Sequence, residues 1–246
     1  MSNKNVLDLK LDALFIATHP DDIEITCGGT CIKLVAAKKK VGIVDLTEGE
    51  LSSRGTLVTR RKETRFASKI LGIHYRKNLG LQDGNIQNNL PNRIEIIREI
   101  RTVKPKILFA PYPSDRHPDH INAGNLIRES VFLSGLSKIE IDDLEPHRPA
   151  KVFYYRHAYD FPISFIFDIS DVFEKKIKAI MAYNSQFYKG NKNKISEPET
   201  YISTKLFLDN LTHRSAFFGF KIGVKYGEPF FCYENLNIDS QNIFKI

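Results

Sequence analysis

At 246 residues, with 42% apolar and 26% charged side chains, the chain is long enough for one α/β domain with a sizeable core and too balanced in composition for a disordered protein. Its formal net charge of +7 comes from Lys and Arg spread along the whole sequence. The densest runs, Lys38-Lys39-Lys40 and Arg60-Arg61-Lys62, are too short for a nucleic-acid arm and imply a solvated surface with a mild preference for anionic small molecules. The three cysteines, Cys27, Cys31 and Cys232, make no disulfide framework, and Cys27 and Cys31, spaced i, i+4, read as buried thiols on one helix face. No window reaches the roughly 20 apolar residues of a membrane span, and no apolar leader follows Met1, so the expected compartment is the cytoplasm, with neither nucleic acid nor membrane as a partner.

In chain order, short apolar runs alternate with helix-period segments, the pattern of βαβ units around a parallel sheet. Leu11 to Thr18 is the first buried strand, followed by a loop and a helix over Gly28 to Ala37. Val41 to Leu46 is a second strand, and the Gly- and Ser-rich stretch Glu48 to Thr56 is a loop leading into a helix over Leu57 to Leu71. His74 to Leu79 is a third strand and Arg93 to Val103 a helix, which Pro105 ends by excluding Lys104 from the α region. Lys106 to Ala110 is a further buried strand, leading into the irregular Pro111 to His120 and a helix over Ile121 to Leu133. Strand patterns return at Lys151 to Tyr155 and Phe165 to Ile169, with helices near Val172 to Tyr183 and Ser203 to Phe218. The expected fold is α/β, a Rossmann-like three-layer sandwich around a mostly parallel sheet, as a single domain covering the whole chain. Ligands of such sheets bind beyond the carboxyl ends of the strands, which places the polar loops starting near Thr18, Thr47 and Ala110 on one rim.

Two of those loops carry the chemistry: Thr18-His19-Pro20-Asp21-Asp22-Ile23-Glu24 and Arg116-His117-Pro118-Asp119-His120. Imidazole and carboxylate together suit zinc, whose catalytic sites keep three protein ligands and one open position. His19, Asp22 and His120 would supply that set, leaving Asp21 beside it as a general base and His117 facing the same cavity; ferrous iron would accept the same donors. Glu24 can equally cap the following helix. Arg54, in Ser-Arg-Gly-Thr, can grip a carboxylate bidentately, and Arg116 and Asp115 flank the second loop. Gln186, Tyr188 and Tyr201 are candidates to close over a substrate, whereas Arg214, in a late helix, reads as structural.

His19-Pro-Asp-Asp-Ile-Glu24, followed by Gly28-Gly29-Thr30, resembles the first motif of the PIG-L/LmbE-like N-acetylglucosaminyl deacetylase family, and His117-Pro-Asp-His120 resembles its second. The segments Asp45 to Thr56, Ser114 to His120, Phe132 to Lys138 and Met181 to Tyr188 resemble the bacillithiol-biosynthesis branch, with coverage from about Leu11 to about Gly227. The resemblance implies a zinc-dependent deacetylase with His19, Asp22 and His120 as ligands, Asp21 as base and His117 stabilising or protonating the reacting centre. Arg60, in Arg60-Arg61-Lys62-Glu63, matches the family's Arg-x-x-Glu and is expected near the developing oxyanion or the substrate. The implied substrate is a small-molecule N-acetylglucosamine conjugate, N-acetylglucosaminyl malate first and a bacillithiol S-conjugate as an alternative. Self-association, as hexamers, is implied as well. Ser52-Ser53 and the Lys- and Asn-rich stretch from Tyr188 to Lys194 depart from the branch pattern and bear on substrate choice. A non-enzymatic nucleotide-binding module is the competing class, but Cys27-Gly-Gly-Thr30 is not G-x-G-x-x-G, and the chain has no Walker-type Gly-Lys-Ser/Thr.

Overall fold

The computed structural model of the protein describes residues 9–188 and 197–237. Five strands, β1 (Ala13–Ala17), β2 (Val41–Thr47), β3 (Tyr75–Leu81), β4 (Ile107–Pro111) and β5 (Lys151–Tyr155), form one all-parallel sheet in the order β3-β2-β1-β4-β5. Side chains alternate across it with the period of two that strands impose. Leu14 and Ile16 of β1 pack with Val44 and Leu46 on one face, under α3 (Leu90–Val103) and α4 (Pro118–Ser134). Ala13, Phe15 and Ala17 pack on the other, under α1 (Asp22–Ala36), α2 (Leu57–Leu71) and α5 (Phe173–Ile180). The result is the expected three-layer α/β domain, with Cys27 and Cys31 free and buried in the second of these layers. Among the described residues, no helix is long and apolar enough to cross a membrane.

Several elements depart from the sequence reading, each for a local reason. α1 begins early, at Asp22, because Asp21 turns the chain at φ 110° without a capping side chain, but a non-helical Cys27 (φ −135°) kinks it, and the part beyond the kink starts at Gly28 as expected. α4 likewise starts at Pro118, in the N1 position that suits proline, with His117 as its cap: Nδ1 of His117 accepts the amide of Asp119 at 3.2 Å. The strand β6 (Phe165–Asp168) lies outside the main sheet and pairs antiparallel with β7 (Gly227–Phe230). That second strand contains Pro229, which lacks a ladder donor and so obscures a strand in sequence.

The small sheet is anchored by a buried ion pair. Nζ of Lys176 on α5 meets Glu228 Oε1 at 2.6 Å, and the carboxylate also accepts the amides of Gly29 and Thr30 and the Thr30 hydroxyl. Both charged groups are almost fully buried. Gly29 is required there: a Cβ would lie 2.7 Å from Ile169 Cγ2 and 3.0 Å from that carboxylate. Glycine is needed again at Gly124 of α4, where a Cβ would stand 2.7 Å from the Pro111 carbonyl, because the helix closes tightly on the end of β4. The last long helix, α6 (Lys205–Phe220), packs on the small sheet of β6 and β7, and its Phe207 and Leu211 join a cluster that holds Ile25 of α1, Ala67 of α2 and Ile180 of α5. Removing one partner of the buried pair strands the other charge, so Lys176→Met is expected to lower unfolding free energy by about 3–5 kcal/mol. Urea denaturation of the two proteins measures it; an unchanged midpoint would mean that Glu228 is satisfied by its amide donors alone.

Candidate metal centre and its cleft

The strand order reverses at β1, which has β2 on one side and β4 on the other. In open parallel sheets that switch point is where a crevice forms at the carboxyl ends of the strands. The loop after β1 brings His19, Asp21 and Asp22 to this point, and the loop after β4 brings Asp115, His117 and His120. They meet in a cleft of about 880 Å³ whose wall takes residues from the carboxyl ends of all five strands: Gly49, Leu51 and Ser52 after β2, Asp83 after β3, Arg156 and His157 after β5.

Three donor atoms converge. Oδ2 of Asp22 lies 3.6 Å from His19 Nδ1 and 3.6 Å from His120 Nε2, and the three residues together meet the spacing of a metal-binding group. Two metal–ligand bonds of about 2.0–2.1 Å at a tetrahedral angle put their donors roughly 3.3 Å apart, so the set fits a first-row divalent ion. The remaining ring nitrogens support this choice. Nε2 of His19 is held by Asp83 Oδ1 at 3.0 Å, and Nδ1 of His120 by Asp115 Oδ1 at 3.1 Å. Carboxylates behind ligating histidines fix the tautomer and aim the free nitrogen. A second group, His19, His117 and Asp119, is also close enough, but its donors are engaged. Asp119 accepts the amides of Gly84 and Ile86, and His117 Nδ1 accepts that of Asp119.

Asp21, beside the donor set, is buried and accepts Arg60 Nη1 at 2.7 Å; the same nitrogen donates to the Pro20 carbonyl at 2.8 Å. Burial pushes its carboxyl up to about 7, with Arg60 pulling the other way. Arg60 thus grips the carboxylate rather than standing free in the cleft. His117 lines the cleft, half-buried. Because its Nδ1 is an acceptor, the proton of the neutral ring sits on Nε2. Burial and the neighbouring His120 hold its pKa below the usual value.

The other residues singled out in sequence fall into two groups. Asp115, Arg116, Gln186 and Tyr201 line the cleft. Asp115 is spent on positioning, since Oδ1 also accepts the His117 amide and Oδ2 that of Ala158. Gln186 stitches the β2 loop by donating to the Arg54 carbonyl and accepting from Ser52. Arg116 stacks on the Tyr201 ring at 4.4 Å. Arg54 and Tyr188 do not line the cleft. The Arg54 guanidinium donates to the Ser185 and Pro198 carbonyls and faces Glu197 at 3.9 Å, rather than standing in the cleft. Of the Tyr188 to Lys194 stretch, residues 189–194 lie outside the described residues. Glu24 is buried against Arg76 and Tyr183, away from the donors.

Sequence reasoning missed Asp83 and His157. The His157 ring stacks on His120 at 3.9 Å, and its Nδ1 stands 3.7 Å from Asp22 Oδ1. Burial and the nearby His120 bring its pKa down to about 3, so it is a neutral wall of the site. The usable signal was positional: each residue follows a strand whose carboxyl end faces the same rim.

Residues 14–131 match the family model described as PIG-L, GlcNAc-PI de-N-acetylase. Diacetylchitobiose deacetylase of Thermococcus kodakarensis is 35% identical over 189 residues, spanning 71% of this chain and 69% of that protein. A probable N-acetyl-alpha-D-glucosaminyl L-malate deacetylase 2 of Bacillus anthracis is 25% identical over 188 residues, 71% of this chain and 80% of that one. In three dimensions the chain superposes on the conserved protein TT1542 from Thermus thermophilus with a TM-score of 0.84 and 35% identity, covering 94% of this chain and 98% of the other.

Where carboxylates orient metal-binding imidazoles, their loss typically weakens affinity about 10- to 100-fold. Asp83→Asn and Asp115→Asn are each expected to do so for zinc, and His120→Ala to abolish stoichiometric binding. Competition with a chromophoric chelator reads the constants; wild-type affinity in both asparagine variants would discard the assignment of Asp83 and Asp115 as orienting groups.

Proposed function

The chain belongs to the PIG-L family, and we propose that it is a metal-dependent hydrolase that removes the acetyl group from the amide nitrogen of an N-acetylglucosamine unit. The observation that carries this reading is the juxtaposition of the convergent His19, Asp22 and His120 donors with a buried carboxylate, Asp21, clamped by Arg60. A divalent ion held by the three donors would supply Lewis-acid polarisation of the acetamide carbonyl and an acidified water.

The protein's own groups divide the remaining work. Asp21 Oδ2 is fixed by Arg60, so the carboxylate keeps one orientation beside the donor set and serves as the base that takes the proton from the attacking water. His117 in its neutral form has no free acceptor nitrogen, and its Nε2–H is the donor it can offer to the oxygen that gains charge as water adds to the carbonyl carbon. That leaves the proton gained by Asp21 as the one returned to the departing amine. Acetate and a free glucosamine amine are the products. Zinc is the metal we assign, with ferrous iron as the alternative that the same His₂Asp donors accept.

The acetamido sugar is the part of the substrate on which the relatives agree. The relative from Thermococcus kodakarensis is named for diacetylchitobiose and that from Bacillus anthracis for a glucosaminyl malate. Our narrower reading is a glycoside with a small acidic aglycone such as malate, supported by the arginines that line the cleft.

Acetate release by the zinc-loaded protein is the test, with diacetylchitobiose and N-acetylglucosaminyl malate as substrates. Asp21→Asn is expected to lower kcat by about 10²- to 10⁴-fold with metal content unchanged. Full activity in that variant would remove Asp21 as the base, and release from neither compound or any other N-acetylated sugar would overturn the deacetylase reading.

A further inference from the structure

The cleft carries a charge pattern that hydrolysis of an acetamide does not use. Its carboxylates, Asp21, Asp22, Asp83 and Asp115, gather round the metal donors, and each is committed to Arg60, to the donor set itself, to His19 or to His120. The wall built by the loop after β5 and by α6 is the reverse. It presents Arg156 and Arg214, with Arg116 at the exposed rim.

Arg214 has no carboxylate partner of the kind that guanidinium groups set into a wall normally have, and Arg156 is paired only with an exposed one. Arg214 donates only to main-chain carbonyls, from Nη1 to His157 at 2.8 Å and from Nη2 to Ile25 at 3.4 Å. Among the described residues no carboxylate lies within 4.0 Å of it. The Arg156 guanidinium meets Asp160 at 3.0 Å, but that carboxylate is 96% exposed; its Nη2 donates to the Ala158 carbonyl. Two buried atoms on neighbouring residues, Arg156 Nε and His157 Nε2, have no hydrogen-bond partner among the described residues. Glu228 acts on Arg214 from the side of the small sheet, yet its oxygens are already held by Lys176, Gly29 and Thr30. Burial and the charge of Arg156 bring Arg214 down to about 10, so both remain cations at neutral pH and repel one another.

A half-buried cation with no carboxylate partner, Arg214, beside an orphaned buried donor, Arg156 Nε, is costly, and a site that keeps them is matched to a group that satisfies them. A planar or tetrahedral oxyanion does so, because guanidinium forks bind carboxylate and phosphate oxygens in charge-assisted pairs. We propose that Arg156 and Arg214 form a subsite for a carboxylate or phosphate group carried by the substrate beyond its acetamido sugar, with Arg116 at the mouth. This rests on the deacetylase reading and makes the aglycone anionic. Arg214 becomes a specificity residue rather than the structural one its place in a late helix suggests.

The test compares kcat/KM of the zinc-loaded protein for neutral diacetylchitobiose with that for N-acetylglucosaminyl malate and for N-acetylglucosamine 1-phosphate, which separate the two oxyanion sources. The expected result is a preference of about 10-fold or more for one anionic compound, falling about 10- to 100-fold in Arg214→Gln and Arg156→Gln through a raised KM. Equal losses on neutral and anionic substrates, or no preference in the wild type, would overturn the subsite. If the buried variants fail to fold, Arg116→Gln at the rim and the rise of KM with ionic strength for the anionic substrate alone carry the same decision. Thermal unfolding with added malate or inorganic phosphate reads the subsite apart from turnover. A rise in Tm in the wild type, absent in Arg214→Gln, alongside no acetate release from any substrate would keep the subsite and remove the deacetylase; no rise and no anionic preference would remove the subsite alone.

Discussion

Burying carboxylates side by side is the constraint around which this molecule is arranged. Asp21, Asp22, Asp83, Asp115 and Asp119 are all buried near one end of a single cleft. An ionised carboxylate taken out of water is strongly unfavourable unless it is paired or hydrogen-bonded. Each aspartate here has a different answer: Arg60 for Asp21, main-chain amides for Asp119, one imidazole each for Asp83 and Asp115. Asp22 accepts the His19 amide at 2.8 Å and otherwise faces three imidazoles, at 3.6 to 3.7 Å. These distances are too long for direct hydrogen bonds. The group left without a close side-chain partner is thus the one at the centre of the donor set, where a cation belongs.

That arrangement depends on the sheet more than on the loops themselves. Parallel strands send all their carboxyl ends to one side, so five separate loops reach one cleft without long excursions. The loops are then tied to one another. Asp119, in the first turn of α4, binds that helix to the amides following β3, Asp83 accepts the amide of Leu51 from the β2 loop, and Asp115 accepts that of Ala158 beyond β5. The same aspartates that orient imidazoles also hold the loops in register. Catalytic groups supported in this way lose little freedom on binding a substrate, which is where preorganised sites gain their rate.

The layers, the parallel strands of the main sheet and the two His/Asp loops were legible because they rest on local signals: apolar runs such as LFIA and KILFA, and imidazole with carboxylate in a tight turn. What escaped depends on contacts between distant segments. Asp83 looks like an ordinary turn residue in Gln82-Asp83-Gly84 until the fold sets it behind His19, 64 positions away. His157 follows an unremarkable strand and gains meaning only when its ring lies on His120. Arg54 misled for the same reason. Its loop is polar and close to the rim, but the guanidinium turns inward to cap the carbonyls of Ser185 and Pro198. Pro229 hid a strand that exists because its partner, Ile166, supplies the other side of the ladder.

The cleft is polar in the electrical sense, and this bears on how a substrate would enter. Acids surround the donor set, while arginines stand along the wall from β5 to α6. A bound divalent cation offsets the first group, so the loaded cleft has net positive character, in keeping with the +7 charge of the whole chain. An acidic conjugate is then attracted as a whole. Its orientation is set by where the arginines stand relative to Asp21. On the reading proposed above, the uncharged acetamide would go to the place where Asp21 and the His117 N–H stand. Charge on the aglycone and neutrality at the scissile amide would act together, the first giving direction and the second leaving the buried aspartates free of a competing anion.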